Sequence, residues 1–251
     1  EIINGDENMS YYPIDSQPDC YGPSKTMAEK LVIDANGTKT SNNSTLITCS
    51  IRPAAIYGPD EIRHFPRIVN IMDSGLFLFL IGSATVDWVH IDNLVSAYIS
   101  ATNLIAHSNS KNLPILSGQK YFISDGTPIN QNEFLRPLSN ARGVPFPTLN
   151  LSPKFMKIIA YILEKIHILG RETSLYSIEP FFTRSEVNKV AVTHYFSIEK
   201  AKKELNYHPT ITSKEGAEEM GKKYRDTISN KMFFRFTPFY LQILILFGMY
   251  L

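Results

Sequence analysis

Asp19-Cys20-Tyr21-Gly22-Pro23-Ser24-Lys25 is the stretch whose reading decides the fold. Tyr21 and Lys25 stand four positions apart, so on a helix they share a face, about one turn from each other. A free phenol titrates near ~10 and is an idle acid at neutral pH. An ammonium group beside it favours the phenolate and turns the phenol into a usable proton carrier. Pro23 fits the first turn of such a helix, where no backbone donor is required. Tyr-x-x-x-Lys alone also describes an exposed helix whose aromatic rests on a lysine stem. The flanking sequence decides between these readings.

The helix predicted from Tyr21 continues through Thr26-Met27-Ala28-Glu29-Lys30-Leu31-Val32-Ile33-Asp34-Ala35 and stops at Asn36-Gly37. After a Ser/Asn/Thr loop, residues 45–51 (Thr45-Leu46-Ile47-Thr48-Cys49-Ser50-Ile51) read as a buried strand. That strand ends in Arg52-Pro53-Ala54-Ala55-Ile56-Tyr57-Gly58-Pro59. Val86-Asp87-Trp88-Val89-His90-Ile91-Asp92-Asn93 then reads as a short strand leading into a helix capped by Asp92.

These three ordered segments together resemble the extended short-chain dehydrogenase/reductases. The resemblance continues through residues 118–126 (Gly118 to Gly126), 181–187 (Phe181 to Val187) and 193–197 (Thr193 to Ser197). It points to the 3-beta-hydroxysteroid dehydrogenase branch, and most of all to short-chain dehydrogenase/reductase family 42E. It implies NAD or NADP as cofactor, with Tyr21 as general acid/base and Lys25 donating to the nicotinamide ribose hydroxyls. It also implies that the backbone of Pro53, Ala54, Ala55 and Ile56 faces the nicotinamide. These four sit at a strand's carboxyl end, where doubly wound sheets hold ligands, although their small size equally reads as packing.

Two elements of the family pattern are not found. None of the thirteen glycines forms the Gly-x-x-Gly-x-x-Gly turn that receives a pyrophosphate. Residues 1–18 read as a polar loop, with Ser10 and Ser16 in loop-like sequence and no strand carrying the family's catalytic Ser or Thr. The expectation is a chain that begins partway through the parent fold, with an open apolar sheet edge and poor solubility in isolation.

Composition narrows the classes. The 251 residues carry 25 basic and 24 acidic side chains, a balance that gives no footprint for nucleic acid. Cys20 and Cys49 read as free buried thiols. No His/Cys/Asp spacing indicates a metal. His90 reads as a hydrogen-bonded structural histidine, and Arg52 as the partner of an acid such as Asp92.

The expected architecture is α/β: the later part of a doubly wound, Rossmann-type parallel sheet, a small and mostly helical substrate-binding part, and a C-terminal apolar helix. Residues 1–146 are assigned to the dinucleotide-binding domain, 147–230 to the substrate-binding part and 232–251 to a membrane anchor. Helices are expected at residues 65–74, 92–105, 130–141, 198–205 and 213–226, and a strand at 121–123. After Arg235 the tail has sixteen residues without charge, a little short of the about 20 that span a bilayer. The preceding Lys222, Lys223, Arg225, Lys231 and Arg235 place that side in the cytosol, with the endoplasmic reticulum as the expected membrane. Residues 153–170 read either as a helix lying in the membrane surface or lining a lipid entrance, or as a core helix.

The function expected from the resemblance is NAD(P)-dependent oxidation or reduction at the 3-beta-hydroxyl or ketone of a steroid or sterol-like lipid. A bilayer is the expected partner, and a homodimer is left open. The alternatives are a nucleotide-sugar epimerase or dehydratase, and a catalytically inactive membrane-associated protein that binds a lipid or a partner.

Overall fold

The computed structural model describes residues 1–17, 20–107, 115–172 and 183–225. Strand β1 (Ile2–Gly5) and a 3-10 turn (Ile14–Ser16) precede helix α1 (Tyr21–Asp34). Then come β2 (Ser50–Pro53), β3 (Ala55–Tyr57), α2 (Phe65–Asp73), β4 (Leu80–Ile81), β5 (Thr85–Val86), β6 (Trp88–His90), α3 (Ile91–Ala106) and β7 (Lys120–Ile123). The remainder is β8 (Ile129–Asn130), α4 (Gln131–Ala141), β9 (Asn150–Leu151), α5 (Pro153–Glu172), α6 (Arg184–Ala191), β10 (His194–Phe196), α7 (Glu199–Leu205) and α8 (Ser213–Arg225).

The strands pair in the order β1-β10-β5-β8, with separate pairs β2-β7, β3-β6 and β4-β9. Every pair is parallel except β5-β8. Parallel neighbours cannot be joined by a tight turn, so β2 to β7 and β3 to β6 need long crossovers, which α2 and α3 help to supply. This is the α/β pattern expected from the sequence. Residues beyond 147 return into it, since β10 lies between β1 and β5 and α8 packs on α4.

Local chemistry explains the element ends. Gly37 and Gly75 take positive φ (83° and 72°) just beyond α1 and α2, a conformation that Cβ-bearing residues resist. The Asn130 side chain caps α4 by accepting from the Asn132 N–H at 2.9 Å. Helix α2 turns Phe65, Val69 and Met72 inward, the i, i+4, i+7 stripe of an amphipathic helix.

Four expectations are corrected. The strand placed at 45–51 lies instead at Ser50–Pro53, half-buried rather than buried. Its partner β7 begins only at Lys120, because residues 115–118 turn away with Gly118 at φ 72°. Thr45 is drawn into an antiparallel bridge with Lys39. The supposed loop at the start contains β1, with Ile2 opposite His194 and Gly5 opposite Phe196. Asn4 at φ 51° disturbs the register and hides the strand from pattern reading. The cap of α3 is His90, whose Nδ1 accepts from the Asp92 N–H at 3.2 Å, while Asp92 sits in the first turn where a negative charge suits the helix dipole. Cys20 is exposed rather than buried; Cys49 is half-buried, and both are free.

The largest core is aromatic. The Trp88 ring stacks on Phe134 at 4.1 Å, and Tyr57 meets both edge-on at 5.7 and 5.1 Å. Phe65, Met72, Leu138 and Met220 complete it. A second core joins β7, α3 and α7 through Tyr121, Ile123, Leu94, Ala97 and Leu205.

Helix α5 answers the open question at 153–170 in a mixed way. Met156, Ala160 and Leu163 are buried, with Met156 and Ala160 packed alongside Val187 of α6, while Phe155, Ile158 and Ile162 face outward. No helix among the described residues is long and apolar enough to cross a membrane. The predicted anchor at 232–251 lies outside the described residues.

Candidate active site

Residues 50–57 form one extended run that changes partner halfway. Up to Pro53 it pairs with β7, and from Ala55 onward with β6. Ala54 stands at the change, its N–H bonded to Ile123 O at 2.9 Å. Where a strand leaves one neighbour for another the sheet opens, which is the physical reason ligands collect at such points. A cavity of about 270 Å³ lies there, lined by Arg52, Pro53, Ala54, Ala55, Asp87, Phe122, Ile123, Ser124, His194 and Phe196.

Three of the four residues predicted to face a cofactor, Pro53, Ala54 and Ala55, therefore share one wall. Ile56 does not line the cavity; it pairs with Val89 across β3-β6. Tyr21 and Lys25 form a pair of their own at the start of α1. Lys25 Nζ lies 5.7 Å from the Tyr21 ring centroid, and Tyr21 is 70% exposed. Neither lines the cavity.

Helix α1 is joined to the cavity strand through Glu29. Its carboxylate accepts from Tyr11 Oη at 2.5 Å, Ser50 Oγ at 2.7 Å and Arg52 Nε at 2.8 Å, and a second bond comes from the Arg52 guanidinium. Burial works to raise the Glu29 carboxyl. The bonds from Arg52, Tyr11 and Ser50, with the Arg52 charge, overcome this and hold it down at about 2. Arg52 is thus structural, as the sequence implied, but its partner is Glu29 and not Asp92.

The cavity's polar groups were missed by sequence reasoning. Asp87 is buried, and its Oδ2 accepts from the Phe196 N–H at 2.7 Å. Burial, aided by the nearby Asp125 charge, pushes its carboxyl up to about 6 despite the bonds from Phe196 and Ser124. His194 Nδ1 lies 2.7 Å from Val192 O, so Nδ1 donates to that carbonyl. Phe122 and Phe196 stack at 4.2 Å beside them. One signal was legible: a carboxylate set within the apolar run Val86-Asp87-Trp88-Val89 has to be buried or the strand misplaced.

Beneath the cavity Asp125 ties four elements together. It accepts from His90 N–H at 2.7 Å, Asn93 Nδ2 at 2.7 Å, Tyr57 Oη at 2.8 Å and Ser213 Oγ at 3.4 Å. Burial raises its carboxyl, and burial with the Asp125 charge moves the Tyr57 phenol far above its ordinary range. His90 is a buried structural histidine whose Nε2 faces Glu219 Oε2 at 3.3 Å without a hydrogen bond. No cluster of metal-ligating side chains occurs among the described residues.

A parallel α/β chain with a Tyr-Lys helix fastened beside an opened strand end defines a Rossmann-type protein of the short-chain dehydrogenase/reductase class. The family model described as 3-beta hydroxysteroid dehydrogenase/isomerase matches residues 1–152, and the chain belongs to that family of extended short-chain dehydrogenase/reductases. It is 49% identical over 210 residues to short-chain dehydrogenase/reductase family 42E member 1 of Macaca fascicularis, covering 82% of this chain and 52% of the relative. It is 32% identical to the 3beta-hydroxysteroid-dehydrogenase/decarboxylase isoform 1 of Arabidopsis thaliana, covering 85% and 47%. The chain spans about half the length of the curated relatives it matches. Its fold is similar to that of the UDP-glucuronic acid 4-epimerase from Bacillus cereus in complex with NAD: TM-score 0.57 at 17% identity, over 90% of this chain and 58% of the epimerase.

Proposed function

We propose that the chain carries the Tyr-Lys helix and cofactor-facing wall of an NAD(P)-dependent oxidoreductase acting on a secondary alcohol or ketone of a steroid or sterol-like lipid. The observation that carries this reading is the Tyr21–Lys25 pair at the head of α1, fastened through Glu29–Arg52 to the strand whose end, Pro53-Ala54-Ala55, walls the cavity. Family membership supports the reaction type. The steroid substrate is supported by the name of the Arabidopsis relative, and the cofactor by the NAD in the Bacillus epimerase structure.

The cavity fits a flat ring. Its strand-end wall is made of Pro and Ala, which leave the backbone open to close approach, and stacked Phe122 and Phe196 flank it. Pro53, Ala54 and Ala55 would hold a nicotinamide there, and Lys25 would reach its ribose hydroxyls. When bound, the cofactor accepts or returns a hydride. Tyr21 Oη would take the proton of the alcohol's hydroxyl in oxidation and return it to the carbonyl oxygen in reduction. Lys25, whose Nζ lies 5.7 Å from the Tyr21 ring centroid, would keep a positive charge beside that ring.

A bilayer is the proposed partner for the lipid substrate. Helix α5 turns Phe155, Ile158 and Ile162 outward next to Lys154, Lys157 and Lys165, the pattern of a helix lying in a membrane surface.

The test measures NADH formation from 3-beta-hydroxysteroids by the chain and by Tyr21→Phe, with the melting shift on adding NADH recorded for both. Turnover is expected to fall by about 10²–10⁴-fold in the variant while the NADH-dependent shift persists. Absence of both turnover and shift in the unaltered chain would favour the non-catalytic alternative, and full turnover in Tyr21→Phe would remove Tyr21 from the mechanism.

A further inference from the structure

Helix α1 carries the reacting pair yet has no buried residue. Met27, Leu31 and Val32 are exposed, Leu31 to 70%, so apolar burial does not set the helix in place. Polar bonds do. Glu29 lies one turn after Lys25 and two after Tyr21, and it gathers donors from two separate segments: Tyr11, and Ser50 with Arg52 on β2. A bidentate guanidinium–carboxylate contact fixes orientation as well as distance, because the two planar groups must be coplanar to make both bonds. Arg52 in turn lines the cavity and is bonded through the chain to Pro53, the first residue of the strand-end wall. The Arg52 guanidinium also lies 5.1 Å from the Phe122 ring centroid and 5.4 Å from that of Tyr11.

We infer that the Glu29–Arg52 clasp, completed by Tyr11 and Ser50, is the positioning device that sets the height and rotation of Tyr21 and Lys25 relative to the cavity wall. The inference rests on the oxidoreductase reading for its catalytic meaning, but the clasp itself is open to independent test. Glu29 touches neither cavity nor ligand, so it is a positioning residue. Without its carboxylate, Arg52 keeps its charge beside Lys30 and Lys120, whose ammonium groups lie 5.0 and 5.1 Å from the Tyr11 ring centroid. Nothing anionic from the clasp then remains to hold those cations around one phenol.

The experiment compares the full chain with Glu29→Ala, Glu29→Gln and the milder Tyr11→Phe, by amide hydrogen exchange and by steady-state kinetics. Glu29→Ala is expected to speed exchange of the 25–34 amides about tenfold or more while the β7 amides keep their protection. It is expected to lower kcat by about tenfold or more and to raise KM for the nucleotide, because Lys25 is displaced along with Tyr21. Glu29→Gln, which keeps an acceptor oxygen, falls between, and Tyr11→Phe moves exchange in the same direction by less. Unchanged α1 exchange in Glu29→Ala overturns the inference. So does a parallel rise in α1 and β7 exchange, in Glu29→Ala or, should that variant not fold, in Tyr11→Phe, since this marks a general loss of stability. Should the unaltered chain show no turnover, the oxidoreductase reading fails alone, and the exchange pattern still decides whether the clasp places α1.

Discussion

Replacing Asp87 by Asn is expected to make the protein more stable at neutral pH and to leave it no more stable in acid. Asp87 is 5% exposed, and its carboxyl is pushed up to about 6 from an ordinary value near 3.8. Between those two pH values the folded chain holds a proton that the unfolded chain has already released. Stability contributed by this group is therefore fully present below about pH 4 and is lost as the pH rises through about 6. At about 1.4 kcal/mol per pH unit, the ionised carboxylate costs the fold about 3 kcal/mol at pH 7.5. Asn keeps an oxygen to accept from the Phe196 N–H, and its amide can donate to Ser124, so the site's shape survives. After allowance for imperfect geometry the expected gain is about 1–2 kcal/mol at pH 7.5, shrinking to nothing near pH 4. Asp125, also raised by burial, is present in both proteins and largely cancels in the comparison.

Urea unfolding of both proteins at intervals from pH 4 to 8 measures this difference directly. A gap that does not change with pH would refute the reasoning, because only a titrating Asp87 gives it a slope. A variant less stable than its parent at pH 8 would show that the carboxylate, not the neutral acid, is the form the fold prefers.

Two further outcomes follow from the core. Asp125→Ala strands the buried donors His90 N–H, Tyr57 Oη and one Asn93 amide hydrogen, and should lower unfolding free energy by about 3–5 kcal/mol; a loss under about 1 kcal/mol would mean that water replaces the carboxylate. Phe134→Ala removes the ring stacked on Trp88 and should lower it by about 3–5 kcal/mol, with a shift in Trp88 emission as its stacking partner goes; unchanged emission would contradict the stack.

What could be read from the sequence was whatever is decided locally. Helix α2 was legible because Ile68, Val69, Ile71 and Met72 fall at helical spacing and Gly75 ends the run; α4, expected at 130–141, starts where the Asn130 side chain caps it. The arrangement of Tyr21 over Lys25 was legible for the same reason, as both lie within one turn. Strand bounds were not local. Ser50 starts β2 only because Lys120 starts β7, seventy residues later, and nothing between positions 45 and 51 records where that partner begins. Nor does β1 show itself, since Asn4 and Gly5 are weak strand formers and its pairing is supplied by His194 and Phe196 from the far end of the described chain.

The site divides along the same line. Pro53, Ala54 and Ala55 could be named from one short segment, but Asp87, Ser124 and His194 reach the cavity from three others. Arg52 shows the difficulty most plainly. Its guanidinium needs an acid, and the sequence offers 24 of them, Asp92 being one such choice. The pairing falls to Glu29, where Ser50 and Tyr11 supply the carboxylate's remaining donors. A charge pair of that kind is chosen by which acid can be desolvated with all its lone pairs met, a condition set by three segments at once. The Tyr21–Lys25 pair was therefore legible from spacing and flanking sequence, whereas Glu29, which ties its helix to β2, could be recognised only when the chain was folded.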